Sequence, residues 1–503
     1  MSATNLIPGF VRKHPPLHIA RVAIWVFVML VAAWADPPHP GAVEMLWQAA
    51  EELYALGSYN SAVQTYEQIA ALLPTESAPL VAVGHIYLTQ QRWPLAIDAF
   101  NRALARHIDD AVAWAGLASA NWAQNEITTA ATHWQTALRY QPDLMSARLG
   151  LALALLYEGR LEEANAMLEA GLAMVHLNDL SGPDQLGTIA AGHLLRGAIL
   201  ALSNPAEARA ALSRISEDAP VEIRTQRDQL LSALDHMATL RSPAQAAQHI
   251  GLAMMQLELW PLARIALTRA DALQPNDAAV VAALGRAEAM MGFDRPAWEH
   301  LSAAVILRPE WSVARLWLGS HCRRRGLLYL ATMQLRIAVM LEPANPEAWL
   351  ELSEAYADLG HYTQAEQALR TAVAQAPRNL DVHLTLARFY ADKLWRVADR
   401  GLAAAQTAAQ MAPQNAAARD LLGWMYLLAG DLEQARLHLL SALVLDPGQA
   451  STYYHLGRLY LMLGFEEHAR WAFLRVVDLD KTGRLRARAL ELLSMLSGGE
   501  TRQ

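Results

Sequence analysis

The stretch LGHYTQAEQALRTAVAQAPRN, residues Leu359–Asn379, shows the pattern that decides the fold. It opens with a polar turn that contains glycine and continues as an alanine-rich helical segment. The segment closes at Pro377, because proline supplies no N–H group and disfavours helix in the residue before it. Ala365 has a counterpart thirty-four residues upstream in Ala331, whereas thirty-four residues downstream the pattern slips. A return to the same residue types at a fixed interval predicts an array of repeated units.

Three series of residues keep this interval along most of the chain. Small residues where two helices would meet are Ala62, Ala96, Ala130 and Ala164, then Ala263, Ala297, Ala331 and Ala365, then Ala435 and Ala469. Prolines where the second helix would stop are Pro74 and Pro142, then Pro275, Pro309, Pro343 and Pro377, then Pro413 and Pro447. Glycines within the first helix are Gly84, Gly285, Gly319, Gly423 and Gly457. Each unit is therefore predicted to be a helix-turn-helix hairpin that stacks on its neighbours to bury a continuous core.

At these positions the chain closely resembles the tetratricopeptide repeat family, whose thirty-four-residue unit carries the pattern W-x2-L-G-x2-Y…A-x3-F…P. Trp114 and Trp349 occupy the Trp position, and Phe100 and Phe473 occupy the Phe position. The resemblance implies an all-α solenoid, a right-handed superhelix of eleven to twelve units, whose concave groove is lined mainly by first helices and binds peptides or proteins. Eleven units begin near Val43, Ser77, Ala111, Met145, Ala244, Ala278, Ser312, Pro346, Leu380, Ala416 and Ala450.

The interval breaks between Ala164 and Ala263, which are 99 residues apart, three fewer than three units need. We predict a degenerate hairpin over residues 187–215 and an unpaired helix over residues 221–239 in this stretch. The predicted organisation is a hydrophobic segment at 1–35, a four-repeat array at 36–178, the degenerate stretch at 179–243, a seven-repeat array at 244–483, and a capping helix with a tail at 484–503.

The amino-terminal segment Val22–Ala35, VAIWVFVMLVAAWA, is apolar throughout, and Arg12, Lys13 and Arg21 precede it. A basic start, an apolar run and an A-x-A pattern at 33–35 are typical of a signal peptide. A helix of this length rises about 21 Å, less than the roughly 30 Å of the hydrocarbon core, which favours cleavage. A tilted or locally thinned bilayer would instead keep the segment as an anchor. Either alternative predicts an extracytoplasmic protein, secreted or anchored to the cytoplasmic membrane, whereas a buried first helix fits the all-round apolar character poorly.

The composition argues against several functional classes. A formal net charge of -8 shows no basic bias, so nucleic-acid binding is not expected. The single Cys322 excludes an intramolecular disulfide and a multi-cysteine metal site, and we expect it to be buried. The sequence has no phosphate loop, dinucleotide fingerprint, nucleophile elbow or zinc-binding His pair, and its histidines lack metal-ligand spacing. We therefore expect no enzyme activity, no cofactor and no bound metal.

The resemblance implies that the second, fifth, ninth, twelfth and thirteenth positions of each unit face the groove. The apolar candidates are Trp47, Val81, Leu88, Trp122, Leu149, Leu153 and Tyr157. The charged candidates are Arg286, Arg323, Arg324, Arg388 and Arg458, with Glu347, Glu354, Asp358, Asp381 and Asp392 between them. Exposed apolar patches usually mark contacts, whereas the charges fit either a partner site or a solvated face with ion pairs worth under about 1 kcal/mol each.

The expected function is a non-catalytic scaffold that binds peptide or protein partners in the groove. One family specialisation is not expected, because Trp47 and Glu51 stand where chaperone-binding members need Lys and Asn. Two alternatives stay open: a structural subunit of a cell-envelope export or polysaccharide assembly, and an accessory subunit that recruits a separate enzyme. The composition, rich in Ala and Arg and poor in Lys, suggests a bacterial source.

Overall fold

The computed structural model describes residues 40–174, 183–480 and 483–498, and these residues form α-helices with no strand among them. The predicted all-α solenoid class is confirmed. The first hairpins are α1 Pro40–Ala55, α2 Tyr59–Leu72, α3 Ala78–Thr89, α4 Trp93–Arg106, α5 Ala111–Ala123, α6 Ile127–Tyr140, α7 Met145–Tyr157 and α8 Leu161–Met174. The middle helices are α9 Pro183–Leu200, α10 Pro205–Leu212 and α11 Val221–Met237.

Seven further hairpins and a final helix follow this middle stretch. Their bounds are α12 Pro243–Gln256, α13 Trp260–Leu273, α14 Ala278–Met290, α15 Asp294–Leu307, α16 Ser312–Arg324, α17 Leu328–Leu341, α18 Pro346–Asp358, α19 Tyr362–Gln375, α20 Leu380–Asp392, α21 Leu402–Met411, α22 Ala416–Ala429, α23 Leu432–Leu445, α24 Ala450–Met462, α25 Glu466–Leu479 and α26 Arg484–Gly498. Each first helix begins within three residues of its predicted start. The predicted amino-terminal segment 22–35 lies outside the described residues.

Helices α9 and α10 lie over the predicted degenerate hairpin, α11 lies over the predicted unpaired helix, and α26 lies over the predicted capping helix. Helix α11 packs against α9 and α12. Ala208 is fully buried at the small position of the degenerate hairpin. A Cβ atom added to Gly197 would lie 2.6 Å from Leu212, so the two helices approach as closely as those of a regular repeat. Among the described residues, no helix combines the length and the apolar character that a bilayer crossing requires.

Close approach of the two helices explains the repeated small residues. Ala331 on α17 is fully buried, and Leu335, one turn further, is also fully buried. A Cβ atom added to Gly319 on α16 would lie 2.6 Å from Cγ of Leu335, closer than real Cβ contacts allow. Glycine in the first helix and alanine in the second therefore leave the room that the larger side chain fills.

Local signals fix where the helices begin and end. Pro343 follows the end of α17, and Asn345 caps α18 because its Oδ1 accepts hydrogen bonds from the backbone N–H groups of Glu347 and Ala348 at 3.0 and 3.4 Å. Gly360 reverses the chain between α18 and α19 with a φ of +76°, which glycine adopts without strain.

The proline spacing gains two residues after Pro377, and the extra length forms a π-helical turn, Val397–Gly401, before α21. The buried carboxylate of Glu366 holds this turn. It accepts hydrogen bonds from the Tyr390 hydroxyl at 3.0 Å and from Nε1 of Trp395 at 3.3 Å, and it pairs with Arg400. Together these bonds lower the pKa of Glu366, although burial opposes them.

The chain divides into two compact units. Unit 1 comprises the described parts of residues 1–142 and 436–503, and unit 2 comprises the described parts of residues 143–435. In unit 1, the backbone N–H of Asn60 donates to Oδ1 of Asp478 at 3.0 Å, and Nη1 of Arg475 donates to the Gly57 carbonyl at 3.2 Å. The last hairpin thus contacts the first one. The predicted arrays 36–178 and 244–483 have other limits, and their status as domains stays a prediction.

In unit 2, first helices lie closer to one another than second helices do. α14 contacts α16, and α16 contacts α18, whereas α15 contacts its partner α14 and the following α16. Side chains on the exposed surface of these first helices therefore converge on one side of the array. We call this surface, formed by the exposed side chains of α14, α16, α18 and α20, the inner face of unit 2.

Candidate functional site

The charged side chains of the inner face are grouped by sign along the first helices, with two arginines before a cluster of carboxylates. Arg286 on α14 and Arg324 on α16 come first, and we call them the Arg pair. Three carboxylates on α18 follow, which we call the acidic cluster, and they are Glu351, Glu354 and Asp358. Arg388 on α20 is exposed, as are Asp381 and Asp392 on the same helix, so α20 presents charges of both signs. The predicted charged positions on α14, α16 and α18 thus lie on one surface within unit 2, whereas the predicted Arg458 belongs to unit 1.

Neither arginine of the Arg pair forms an ion pair with a carboxylate among the described residues. Nη1 of Arg324 lies 3.2 Å from the thioether sulfur of Met290, one helical turn from Arg286. Partial burial lowers the pKa of Arg324, and the positive charge of Arg286 lowers it further. Glu351 and then Asp294 favour the charged form of Arg324, but each is itself paired with another arginine, Glu351 with Arg323 at 3.2 Å and Asp294 with Arg325 at 2.7 Å. Within the described ranges, neither member of the pair has a carboxylate oxygen within 4.0 Å.

The acidic cluster surrounds one guanidinium. Arg323 lies 3.2 Å from Glu351, 2.5 Å from Glu354 and 3.5 Å from Asp358, measured between the nearest nitrogen and oxygen atoms. Partial burial raises the pKa of Glu354, the other two carboxylates add to this, and Arg323 opposes it. Three carboxylates against one guanidinium leave a formal excess of two negative charges. The predicted ion pairs exist here, but they do not balance the charge.

Two of the predicted aromatic residues contact their own hairpin. Trp47 is partly buried, its ring lies 5.3 Å from that of Tyr66, and its Nε1 donates to Glu51 at 3.0 Å. Trp122 is partly buried, with its ring 5.8 Å from that of Trp134. Each ring thus supports the packing of first helix on second helix in unit 1.

The remaining apolar candidates differ in exposure. Val81 is only 8% exposed and belongs to the core between α3, α4 and α5, so the expectation that it is open to a partner is wrong. Its side chain points between helices because α3 is apolar on nearly every side. The partly buried candidates are Leu88 in unit 1, and Leu149, Leu153 and Tyr157 in unit 2. Arg458, in unit 1, is also partly buried.

A cleft between α11 and α12 was not found from the sequence. Its volume is about 760 Å³, and its lining consists of one stripe from each helix. The rings of His236 and His249 lie 4.5 Å apart at one end of it. Burial lowers the pKa of His249, and the charge of His236 lowers it further. The polar stripe Thr225, Asp228, Ser232 and His236 on α11 was the available signal, but it lies outside the repeat pattern.

Cys322 and His300, two side chains of reactive types, both contact other residues of the helix array. Cys322 is fully buried, as expected, and burial raises the pKa of its thiol to about 11. His300 does not pair with its sequence neighbour Glu299. Its Nδ1 lies 2.6 Å from Oε2 of the buried Glu288 on α14, and this hydrogen bond raises the pKa of His300.

Two family models described as tetratricopeptide repeat match the chain, one over residues 331–389 and the other over residues 47–111, 81–132, 115–174 and 398–450. No curated protein matches the sequence.

Three solved structures illustrate the similarity. Yeast Tom70 is 15% identical with a TM-score of 0.39, covering 84% of this chain and 96% of that one. Pseudomonas aeruginosa pilF is 19% identical with a TM-score of 0.36, covering 42% of this chain and 95% of that one. A tetratricopeptide repeat protein from Parabacteroides merdae is 16% identical with a TM-score of 0.41, covering 51% of this chain and 99% of that one.

The stretches that the family models match coincide with hairpins whose helices meet at the small and large residues of the repeat. The chain therefore belongs to the tetratricopeptide repeat family, and its repeats indicate a scaffold for protein–protein interaction.

Proposed function

We propose that the chain is a non-catalytic scaffold that binds a protein or peptide partner on the inner face of unit 2, outside the cytoplasm. The observation that carries this proposal is a row of charged side chains on successive first helices. These side chains stay exposed and are not buried between helices. Glu354 and Asp358 keep 49% and 42% of their side-chain surface exposed, and Arg324 and Arg388 are exposed as well. Proteins of this family are generally non-catalytic scaffolds, which supports the same reading.

A steric test of the inner face uses two methionines. Met290 is on the inner face and 39% exposed, whereas Met340 is on the second helix α17 and 74% exposed. We would make Met290→Cys and, as the matched control, Met340→Cys, and attach a polyethylene glycol maleimide to each. The native Cys322 should not react, because it is fully buried and its thiol has a raised pKa.

The labelled proteins would then capture partners from an extract of the cells that make the protein. We expect the label at position 290 to abolish capture of a partner that the unlabelled protein and the chain labelled at position 340 both retain. Equal capture by both labelled proteins would contradict the proposed site. The identity of the captured partner would also separate the scaffold from the two alternatives, an envelope assembly subunit and an enzyme accessory.

The proposed location rests on the sequence of residues 12–35 alone. Mass spectrometry of the native amino terminus, combined with cell fractionation, tests it. We expect a mature chain that begins at Asp36, or a full-length chain in the membrane fraction. An intact chain recovered in the soluble cytoplasm would reject both outcomes.

A further inference from the structure

We propose that the Arg pair is the recognition site for one acidic side chain of an extended partner segment, and that the acidic cluster next to it disfavours a second acid about three residues away. This inference rests on the proposed function, because it assumes that the partner binds on the inner face. It adds the chemistry of the partner and the spacing of its charges.

The Arg pair has donors without acceptors. Arg286 is partly buried, yet it makes no hydrogen bond or ion pair with any described residue. Arg324 contacts the sulfur of Met290, which is a weak acceptor. Each guanidinium carries five N–H donors in a planar fork, and a carboxylate accepts two of them at once. A carboxylate at this place would satisfy donors and relieve the repulsion between Arg286 and Arg324.

Met290 supplies an apolar surface at the same place. It lies one helical turn after Arg286 and faces the guanidinium of Arg324. The methylene groups of a Glu side chain can pack on such a surface while its carboxylate reaches the guanidiniums. A side chain therefore fits this site better than a small free anion does.

The acidic cluster limits what can flank that side chain. Neighbouring packed helices lie about 8–10 Å apart, and an extended chain advances about 3.3 Å per residue, so one repeat corresponds to about three residues. Glu354 and Asp358 are exposed on α18, and Arg323 alone does not neutralise them. A partner residue three positions from the acid would therefore meet a negative surface if the segment runs toward α18.

The probes that test this inference are rhodamine-labelled nine-residue peptides of Gly, Ala and Ser, acetylated and amidated at their ends. The first carries Gln, Glu and Gln at positions 2, 5 and 8, the second has Gln at all three, and the third has Lys, Glu and Lys. Placing the flanking residues on both sides makes the result independent of the direction in which the peptide binds. Fluorescence anisotropy with the full chain measures the dissociation constants.

We expect the single-Glu peptide to bind at least tenfold more tightly than the all-Gln peptide, since charge-assisted hydrogen bonds are the stronger class. The double variant Arg286→Gln with Arg324→Gln should abolish this difference. Arg295→Gln is the matched control, because Arg295 is 90% exposed on the second helix α15, and it should retain the difference. Arg324→Lys keeps the positive charge but not the planar guanidinium with its five donors. It should therefore show a smaller difference in affinity between the single-Glu and all-Gln peptides.

The Lys-Glu-Lys peptide should bind more tightly than the single-Glu peptide, and Glu354→Gln with Asp358→Asn should remove that gain. The inference is overturned if the single-Glu and all-Gln peptides bind equally, if neither binds at 1 mM, or if the Arg variants behave like Arg295→Gln. If the Arg variants bind as the native chain does while the label at position 290 still blocks partner capture, the inference fails and the proposed function stands. If the label has no effect either, both fail.

Discussion

Tyr157 donates a hydrogen bond to the backbone carbonyl of Met291, with 2.6 Å between the two oxygen atoms, although 134 residues separate them in the sequence. The ring of Tyr157 also lies edge-on to that of Phe293 at 5.1 Å. Within unit 2, the end of the fourth repeat therefore packs on the hairpin that contains α14 and α15. The hydroxyl of a residue predicted to face the groove is used for packing instead.

Replacing Tyr157 by Phe should destabilise this contact. The change leaves the Met291 carbonyl without its hydrogen bond and costs about 1 kcal/mol. Hydrogen exchange should therefore become faster at the turn that joins α14 and α15. Tyr329→Phe, at a residue that is 79% exposed on α17, is the control and should leave exchange unchanged. Equal exchange in the two variants would show that the hydroxyl contributes nothing.

Gly116→Ala should destabilise unit 1 by about 1–3 kcal/mol, because the added methyl group overfills a packed site. A Cβ atom at Gly116 would lie 2.3 Å from Cζ of Phe100, which is fully buried. Adding Phe100→Leu should recover part of the loss, since the smaller side chain makes room. Gly41→Ala, which meets no atom within 4 Å, should be neutral or slightly stabilising. Urea unfolding of the native chain, the two single variants at positions 116 and 100, their double variant and Gly41→Ala measures this, and additive effects of the two changes would contradict direct contact.

The pair of His300 and Glu288 should make unit 2 sensitive to pH. The folded-state pKa of His300 is raised by its hydrogen bond to Glu288. Because the folded-state pKa is raised, protonated His300 stabilises the folded chain. This stabilisation is complete at pH values below the unfolded-state pKa near 6.5, and it is lost as the pH rises through the folded-state pKa. His300→Gln should therefore destabilise more at pH 6 than at pH 8. Melting temperatures of both proteins at the two pH values measure this, and an equal difference at both would contradict it.

Arg475 should hold the last hairpin against the first one in unit 1. Its Nη1 donates to the Gly57 carbonyl at 3.2 Å and to Oγ of Ser58 at 3.3 Å. Arg475→Met keeps most of the side-chain volume and removes these bonds, so amides at 56–60 should exchange faster with solvent. The same substitution at Arg488, which is exposed on α26, should not change them. Unchanged exchange at 56–60 in the Arg475 variant would mean that the contact is not stabilising.

The repeat pattern determined the fold because each hairpin is specified locally. Ala331 and Leu335 lie one turn apart on one helix, and Gly319 lies on the helix that pairs with it. Such contacts recur within one unit or between neighbouring units. A series of residues at a fixed interval is therefore enough to predict the hairpins and their stacking. The same is true of helix ends, where Pro343 and Asn345 act on the nearest backbone groups. A helix at the position of α11 was also predictable, because the interval failed around it.

The site was predictable only in part. The periodicity placed Arg286, Arg324 and Glu354 on one surface, since positions that recur in successive first helices share a side of the array. It could not tell that Val81 is buried, because exposure depends on how closely three helices meet. It also could not tell that Arg323 is surrounded by carboxylates while the Arg pair has none, since this depends on rotamers across two repeats.

The sequence by itself thus determined the repeat, the helix bounds and the family, because these depend on contacts between residues close in the chain. Only the tertiary structure decided that Arg475 contacts Gly57, that Tyr157 contacts Met291, and that α11 and α12 enclose a cleft. These contacts join segments whose separation follows no fixed interval. Their geometry depends on the summed rotations of the hairpins between them, and small differences at each interface add up over the array.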